Sequence, residues 1–150
     1  MRRPRPFILR NACVALPTDA LLIVMKGISM YCRGIRGATT VERNEREEIL
    51  SATTELLELL ISRNDLRAED VASAIFTMTD DLDAEFPAVA ARMLGWSEVA
   101  LMCMREIPVP ASLPMCIRIL LHVNTERGAS EIRHVFIRGA VNLRPTFSVQ

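Results

Sequence analysis

The chain has 150 residues, 18 basic and 18 acidic, with half of its residues apolar and only 5% aromatic. That length suits one domain, and the share of apolar residues excludes a disordered or collagen-like chain. The charge is uneven: residues 1–30 carry four Arg and one Lys against Asp19, net +4, so residues 31–150 stand at −4, a poor nucleic-acid surface, which needs clustered cations and stacking aromatics.

The longest apolar stretch near the start, Ala20 to Met25, is far short of the roughly 20 residues that span a bilayer. Arg2, Arg3, Arg5 and Arg10 hint at a transit peptide, but Pro4, Pro6 and Pro17 spoil an amphipathic helix. Residues 1–29 therefore read as a disordered extension ahead of a domain over 30–150. Cys13, Cys32, Cys103 and Cys116 form no CxxC pair, which predicts neither a zinc site nor a disulfide framework, but a reduced, cytoplasmic chain.

From Tyr31 the apolar pattern alternates between periods of two and 3.6. Residues 31–38 predict a strand, ending in a turn over Gly37 to Thr40. Asn44 to Glu47 has the form of a capping box. The helix after it carries Ile49, Leu50, Leu56, Leu57, Leu60 and Ile61 near one face and stops around Asn64. Val71 to Thr79 is almost wholly apolar and reads as a central strand. Pro87 suits the first turn of a second helix running through Leu94, with Gly95 at its end, and Val99 to Met104 predicts another buried strand.

Three prolines make residues 108–114 a loop. In the strand beyond it Met115, Ile117, Ile119, Leu121 and Val123 line one face, with Cys116, Arg118, Leu120 and His122 on the other. A last strand is predicted over His134 to Leu143. About five strands and two helices make an α+β fold, a mixed α/β sandwich. Its sheet has one face covered by helices and one face needing a partner, so the chain is expected to assemble.

Arg118 is the only charge between Glu106 and Glu126, set within an apolar strand. A guanidinium cannot deprotonate to escape burial, so its site must supply an anion or several acceptors. Taken alone, that anion is either a ligand or a structural carboxylate. Arg36 lies between Ile35 and Gly37, and glycine neighbours let a ligand approach the backbone; an exposed edge cation fits equally. Glu106 closes the strand that contains Cys103, which by itself reads as a packing thiol. No nucleophile–base pair, phosphate loop or dinucleotide fingerprint appears. Two strand arginines and a carboxylate suit the binding of a small dianion that also carries a hydroxyl or ether group.

The same residues carry a resemblance. Arg33 to Thr40 resembles the opening of the AroH-class chorismate mutases, the small trimeric monofunctional type. The likeness continues through Phe76 to Thr79, Asp81 to Ala88, Ala91 to Trp96, Cys103 to Glu106, Ser112 to Arg118 and Leu143 to Pro145. It implies the rearrangement of chorismate to prephenate, a 3,3-sigmatropic shift in aromatic amino-acid biosynthesis, with no cofactor, no metal and no covalent intermediate. It implies a homotrimer with a barrel-like sheet core and active sites between subunits, and neither nucleic-acid nor membrane partners.

By motif, Arg36 would hold a substrate carboxylate, and Arg118 would face the ether oxygen and a carboxylate. Glu106, with Cys103, would accept from the ring hydroxyl, while Met102, Cys103, Met104, Arg105 and Glu106 form one wall. Phe86, Ala88 and Arg92 would close the pocket from a neighbouring subunit, with Leu143 and Arg144 covering it. Phe136 stands where the family usually has Tyr, Ala111 replaces a common loop Gly, Val89 a Lys, and Thr146 an Asp. A non-catalytic trimeric module of similar fold that binds a small anion is the alternative. A generic anion binder has no reason to keep a hydroxyl-reading carboxylate beside its arginine.

Overall fold

The computed structural model describes residues 30–144, and the extension expected over 1–29, together with Pro145 and Thr146, lies outside them. The chain runs β1 (Tyr31–Thr40), α1 (Arg46–Asn64), β2 (Val71–Met78), α2 (Ala88–Met93), β3 (Ala100–Arg105), β4 (Cys116–Thr125) and β5 (Val135–Phe136). The strands form one mixed sheet in the order β3-β2-β4-β1-β5. β4 is antiparallel to both β1 and β2, whereas β2 with β3 and β1 with β5 are parallel pairs. The α+β architecture is as expected from the sequence.

Helix α1 buries Ile49, Leu50, Leu56, Leu57 and Leu60, a spacing of three and four that keeps them on one stripe. It ends where Asp65 turns left-handed at φ 51°. Asn64, 2% exposed, fixes that end: its amide bonds Leu60 and Arg133 carbonyls, and its Oδ1 accepts from the Arg133 N–H. The stripe packs on β1, and Gly37 shows how closely. A Cβ placed there would lie 2.9 Å from Leu60 Cδ1 and 3.0 Å from Leu56 Cδ1. Gly37 therefore faces the helix and admits α1, not a ligand.

The register divides every strand in two. Ile35, Gly37 and Thr39 face α1, and their partners Leu121, Ile119 and Ile117 share that face, as do Ala74 and Phe76 of β2. All are buried, Phe76 and Leu121 completely. Each such large apolar side chain contributes roughly 1.5–3 kcal/mol of burial, so this face supplies the cohesion of the unit.

Four expectations need correcting. The strand over 31–38 does not turn at Gly37; it runs to Thr40, because β4 pairs it through Thr40 and β5 pairs Gly37 and Ala38 on the other side. The capping box at Asn44 does not form: the N-cap is Glu45 without a side-chain bond. Asn44 instead accepts from the N–H groups of Asp83 and Ala84 at 3.0 Å and bonds Asp83 Oδ1 at 2.7 Å. The strand at Val99 to Met104 is not buried but an edge, with Met102 56% and Met104 44% exposed. The last strand is only Val135–Phe136, since Arg138 turns to φ 52° and a 3-10 turn follows over Arg138–Leu143.

Candidate active site

The alternate residues face away from the helices and form rows across the sheet. One row reads Ala38, Arg118, Thr77, Met104; the next reads Arg36, Leu120, Ile75, Met102; the third Gly34, His122, Ser73, Ala100. Arg36 and Arg118 are thus diagonal neighbours on adjacent strands, a relation of about 7–8 Å between backbones. Regular pairing alone brings the two cations together.

Arg118 meets Glu106 at the end of β3. Its Nη1 donates to Glu106 Oε2, with the two side chains 32% and 11% exposed. The other carboxylate oxygen accepts from Thr77 Oγ1 at 2.6 Å, and the Glu106 N–H donates to the Met78 carbonyl at 2.9 Å. Cys116, one position earlier on the same face, also touches Arg118. Burial pushes its thiol up to about 11, against the pull of Arg118 and with a further push from Glu106. It is a neutral neighbour and not a nucleophile.

A hydrogen-bond network around the buried Thr79 sets the start of β4, and hence Arg118. Thr79 Oγ1 donates to Asp81 Oδ1 at 2.5 Å and accepts from the Cys116 N–H at 2.9 Å. Asp81 Oδ2 accepts from the N–H of Met115, which sits at φ 53°.

At the other side of the face, the Arg36 N–H donates to His134 Nδ1 at 3.1 Å. Burial holds His134 below the usual imidazole range, and Arg36 and Arg144 lower it further. Phe136 is 2% exposed; it pairs with Ala38 and so ends the same row of the face that carries Arg118, where Ala140 and Leu113 pack over it.

A cleft of about 390 Å³ lies at the edge of β3, lined by Cys103, Met104, Arg105 and the 82–86 segment that ends in Phe86. Phe86 is 66% exposed. It is held out by Glu85, which accepts from the Phe86 N–H and pairs with Arg46 at 2.8 Å. Cys103 stands opposite Phe76 on the helix side, so the sheet does not place it with Glu106. Ala88 is buried in the core, whereas Arg92, Leu143 and Arg144 are exposed.

The structure thus gathers Arg118 with Glu106 and sets Arg36 one diagonal step from Arg118. Within one chain Phe86 lines the cleft beside Met104, and Arg92 is not among the residues lining it. Thr77, Cys116 and His134 were not singled out from sequence as site residues. Thr77 and Cys116 become visible once β2 is set in register with β4. Among the described residues no three His, Cys, Asp or Glu side chains are placed to hold a metal ion.

The chain matches the family model for chorismate mutase type I over residues 32–147. It belongs to that family. It is 47% identical to chorismate mutase AroH of Bacillus subtilis over 121 residues, covering 80% of this chain and 95% of the relative. The AroH chorismate mutase of Thermus thermophilus is 49% identical over 114 residues, 75% of this chain and 93% of the relative. The solved chorismate mutase from Clostridium thermocellum superposes with a TM-score of 0.71 at 52% identity, covering 72% of this chain and 96% of that one.

Proposed function

We propose that this chorismate mutase family member rearranges chorismate to prephenate on the open face of its sheet, around the Arg118–Glu106 pair. The observation that carries the reading is that pair, a fixed cation beside a fixed carboxylate, with the second cation, Arg36, one diagonal step away. As the C–O bond of chorismate breaks, negative charge builds on the ether oxygen. Arg118 has five N–H donors, so it can meet that oxygen and a carboxylate while remaining near Glu106. A preset guanidinium binds the transition state more tightly than the substrate, which raises kcat. Glu106 accepts from the ring hydroxyl, and Arg36 holds a carboxylate. Together they restrict the substrate to the folded conformer that reacts. An anion-binding module without activity is not favoured, because it leaves Glu106 without a purpose.

The working unit is a homotrimer over residues 30–150, cytoplasmic, with 1–29 as a dispensable extension. Exposed Met102 and Met104 on the edge strand, and the outward Phe86, support packing of one subunit's cleft against the next. In the trimer Phe86, Ala88 and Arg92 close a neighbour's pocket, Ala88 through its backbone because its methyl is in the core. Leu143 and Arg144 cover the site, and Phe136, beside Ala38 at the end of the Arg118 row, borders it.

The test is purified protein with chorismate, followed by loss of its ultraviolet absorbance, with oligomeric mass measured on the same sample. Turnover by a trimer is expected, and mixing inactive Arg92→Ala and Arg118→Ala chains should restore part of it. A pure, folded chain inert on chorismate would overturn the activity, and full activity in a monomer would overturn the shared site.

A further inference from the structure

We propose that Thr77 is a positioning residue for Glu106, holding its carboxylate toward the substrate's ring hydroxyl. The inference rests on the mutase reading above. Thr77 stands between Arg118 and Met104 in one row of the open face, the centre of the site by register. Its Oγ1 donates to Glu106 Oε1 at 2.6 Å while Arg118 holds Oε2.

Glu106 lies just past the end of β3, so no ladder fixes its side chain, and three torsions must be set by what its carboxylate touches. One contact leaves the carboxylate free to swing; two contacts, one on each oxygen, fix its plane. Arg118 cannot serve as the sole anchor, because the substrate draws the same guanidinium toward the ether oxygen. The Thr77 hydroxyl has no such competing duty. An ionised carboxylate offers about four acceptor positions, so two remain for the substrate after Thr77 and Arg118 are served.

The residue type points the same way. Thr77 occupies a half-buried strand position in the run Ala74-Ile75-Phe76-Thr77-Met78, where Val has equal fitness for a pleated surface. The strand therefore needs the branch, and Glu106 needs the hydroxyl. Ser73, two rows away, uses its hydroxyl on His122 at 2.8 Å, so the polar residues of β2 on this face each answer to a named partner.

The experiment is steady-state kinetics on the full chain with chorismate, comparing the parent with Thr77→Val and Thr77→Ser. Hydroxyl binding is made in both the ground and transition states, so its loss should fall on KM. We expect Thr77→Val to raise KM about tenfold with kcat within about threefold, and Thr77→Ser to stay within about threefold of the parent in both. On a Glu106→Gln background, Thr77→Val should change kcat/KM by less than about twofold, since its effect runs through Glu106.

Parent kinetics in Thr77→Val overturn the inference. So does a loss confined to kcat with KM unmoved, which a smaller fraction of assembled enzyme produces, or Ser as damaged as Val. An undiminished Val effect on the Glu106→Gln background overturns it as well. If Thr77→Val does not fold, Thr77→Ala against Thr77→Ser decides in the same terms. A parent chain inert on chorismate overturns the mutase reading and this inference together; an active parent with any of the outcomes above overturns this inference alone.

Discussion

The two faces of the one sheet are built from the same strands yet follow different rules. On the helix side the alternate residues are Ile35, Gly37, Ala74, Phe76, Ile119 and Leu121, all buried, and each answers to packing. On the open side the intervening residues include the apolar Ala38, Ile75 and Leu120, but among them Ser73, Thr77, Arg118 and His122 turn side chains to polar partners, and Arg36 bonds His134 through its N–H. A strand's period of two lets one segment serve stability and chemistry at once, because a substitution on one face leaves the other face's side chains in place. A change on the open face should therefore move rate without unfolding the chain, and a change on the helix face should do the reverse.

The sharpest way to break that comparison is Arg118→Ala. With the charge and its bonds removed from a partly dry site, kcat/KM should fall about a thousandfold or more, ~4 kcal/mol at 1.4 kcal/mol per tenfold. The loss should fall mainly on kcat, and the circular dichroism and melting curve should stay close to the parent. Arg118→Lys keeps the charge but not the planar fork and should fall between. Turnover within tenfold of the parent would make Arg118 a structural arginine.

Gly37→Ala tests the other face. The added methyl meets Leu60 and Leu56 at 3 Å or less, and overpacking of a filled core costs about 1–3 kcal/mol. The denaturation midpoint should drop accordingly while kcat and KM of the folded enzyme hold, although Arg36 is the next residue. A stable Gly37→Ala chain with altered kinetics would show that the glycine serves the ligand after all.

These two residues also show what the sequence could and could not tell. Helix α1 was legible because its apolar residues repeat at three and four, and β4 because Ile117 to Val123 alternate cleanly with Arg118 and His122. Gly37 was misread as a turn because its purpose is a contact with Leu56 and Leu60, some twenty residues away. Asn44 likewise has the local form of a cap yet is taken by Asp83 and Ala84, 39 and 40 residues on. An apolar run cannot say whether it lies inside a sheet or at its edge, which is why β3 looked buried. Arg118 and Glu106 were picked out as single residues and by resemblance; that Thr77 ties to Glu106 depends on register between β2, β3 and β4, which no local pattern encodes.

Cys116 belongs to the open face by position but is fully buried, so it tests where the division blurs. Its thiol is pushed up to about 11, whereas an unfolded cysteine ionises at about 8.5. Between those values the folded chain holds a proton that the unfolded chain has lost, so unfolding free energy falls as pH rises, by up to about 1.4 kcal/mol per pH unit. Below about pH 8.5 the effect is absent. Denaturation midpoints at pH 8, 9 and 10 should decline in the parent, and the decline should be shallower in Cys116→Ala. Equal slopes would mean the thiol is not kept from solvent when folded.

The smallest effect expected lies outside both faces, in the loop between β3 and β4. Ala111 is exposed and sits at φ 62°, where an L-residue with a Cβ is strained by roughly 1–2 kcal/mol. Glycine relieves that strain but brings about 0.5–1 kcal/mol of extra freedom to the unfolded chain. The difference favours Ala111→Gly by about 0.5–1 kcal/mol, or roughly 1–4 °C in melting temperature for a chain of this size, at equal chain concentration so that assembly does not confound the reading. The loop shares a cavity of about 180 Å³ with Glu106, yet Glu106 is held by Thr77, Arg118 and the Met78 carbonyl and by nothing in the loop that changes with Ala111. Kinetic constants should therefore stay at parent values while the melting temperature rises. A fall in melting temperature would show that the left-handed turn is not the folded state's conformation. A change in KM with the melting temperature unmoved would show that the loop, and not the sheet, sets the position of Glu106.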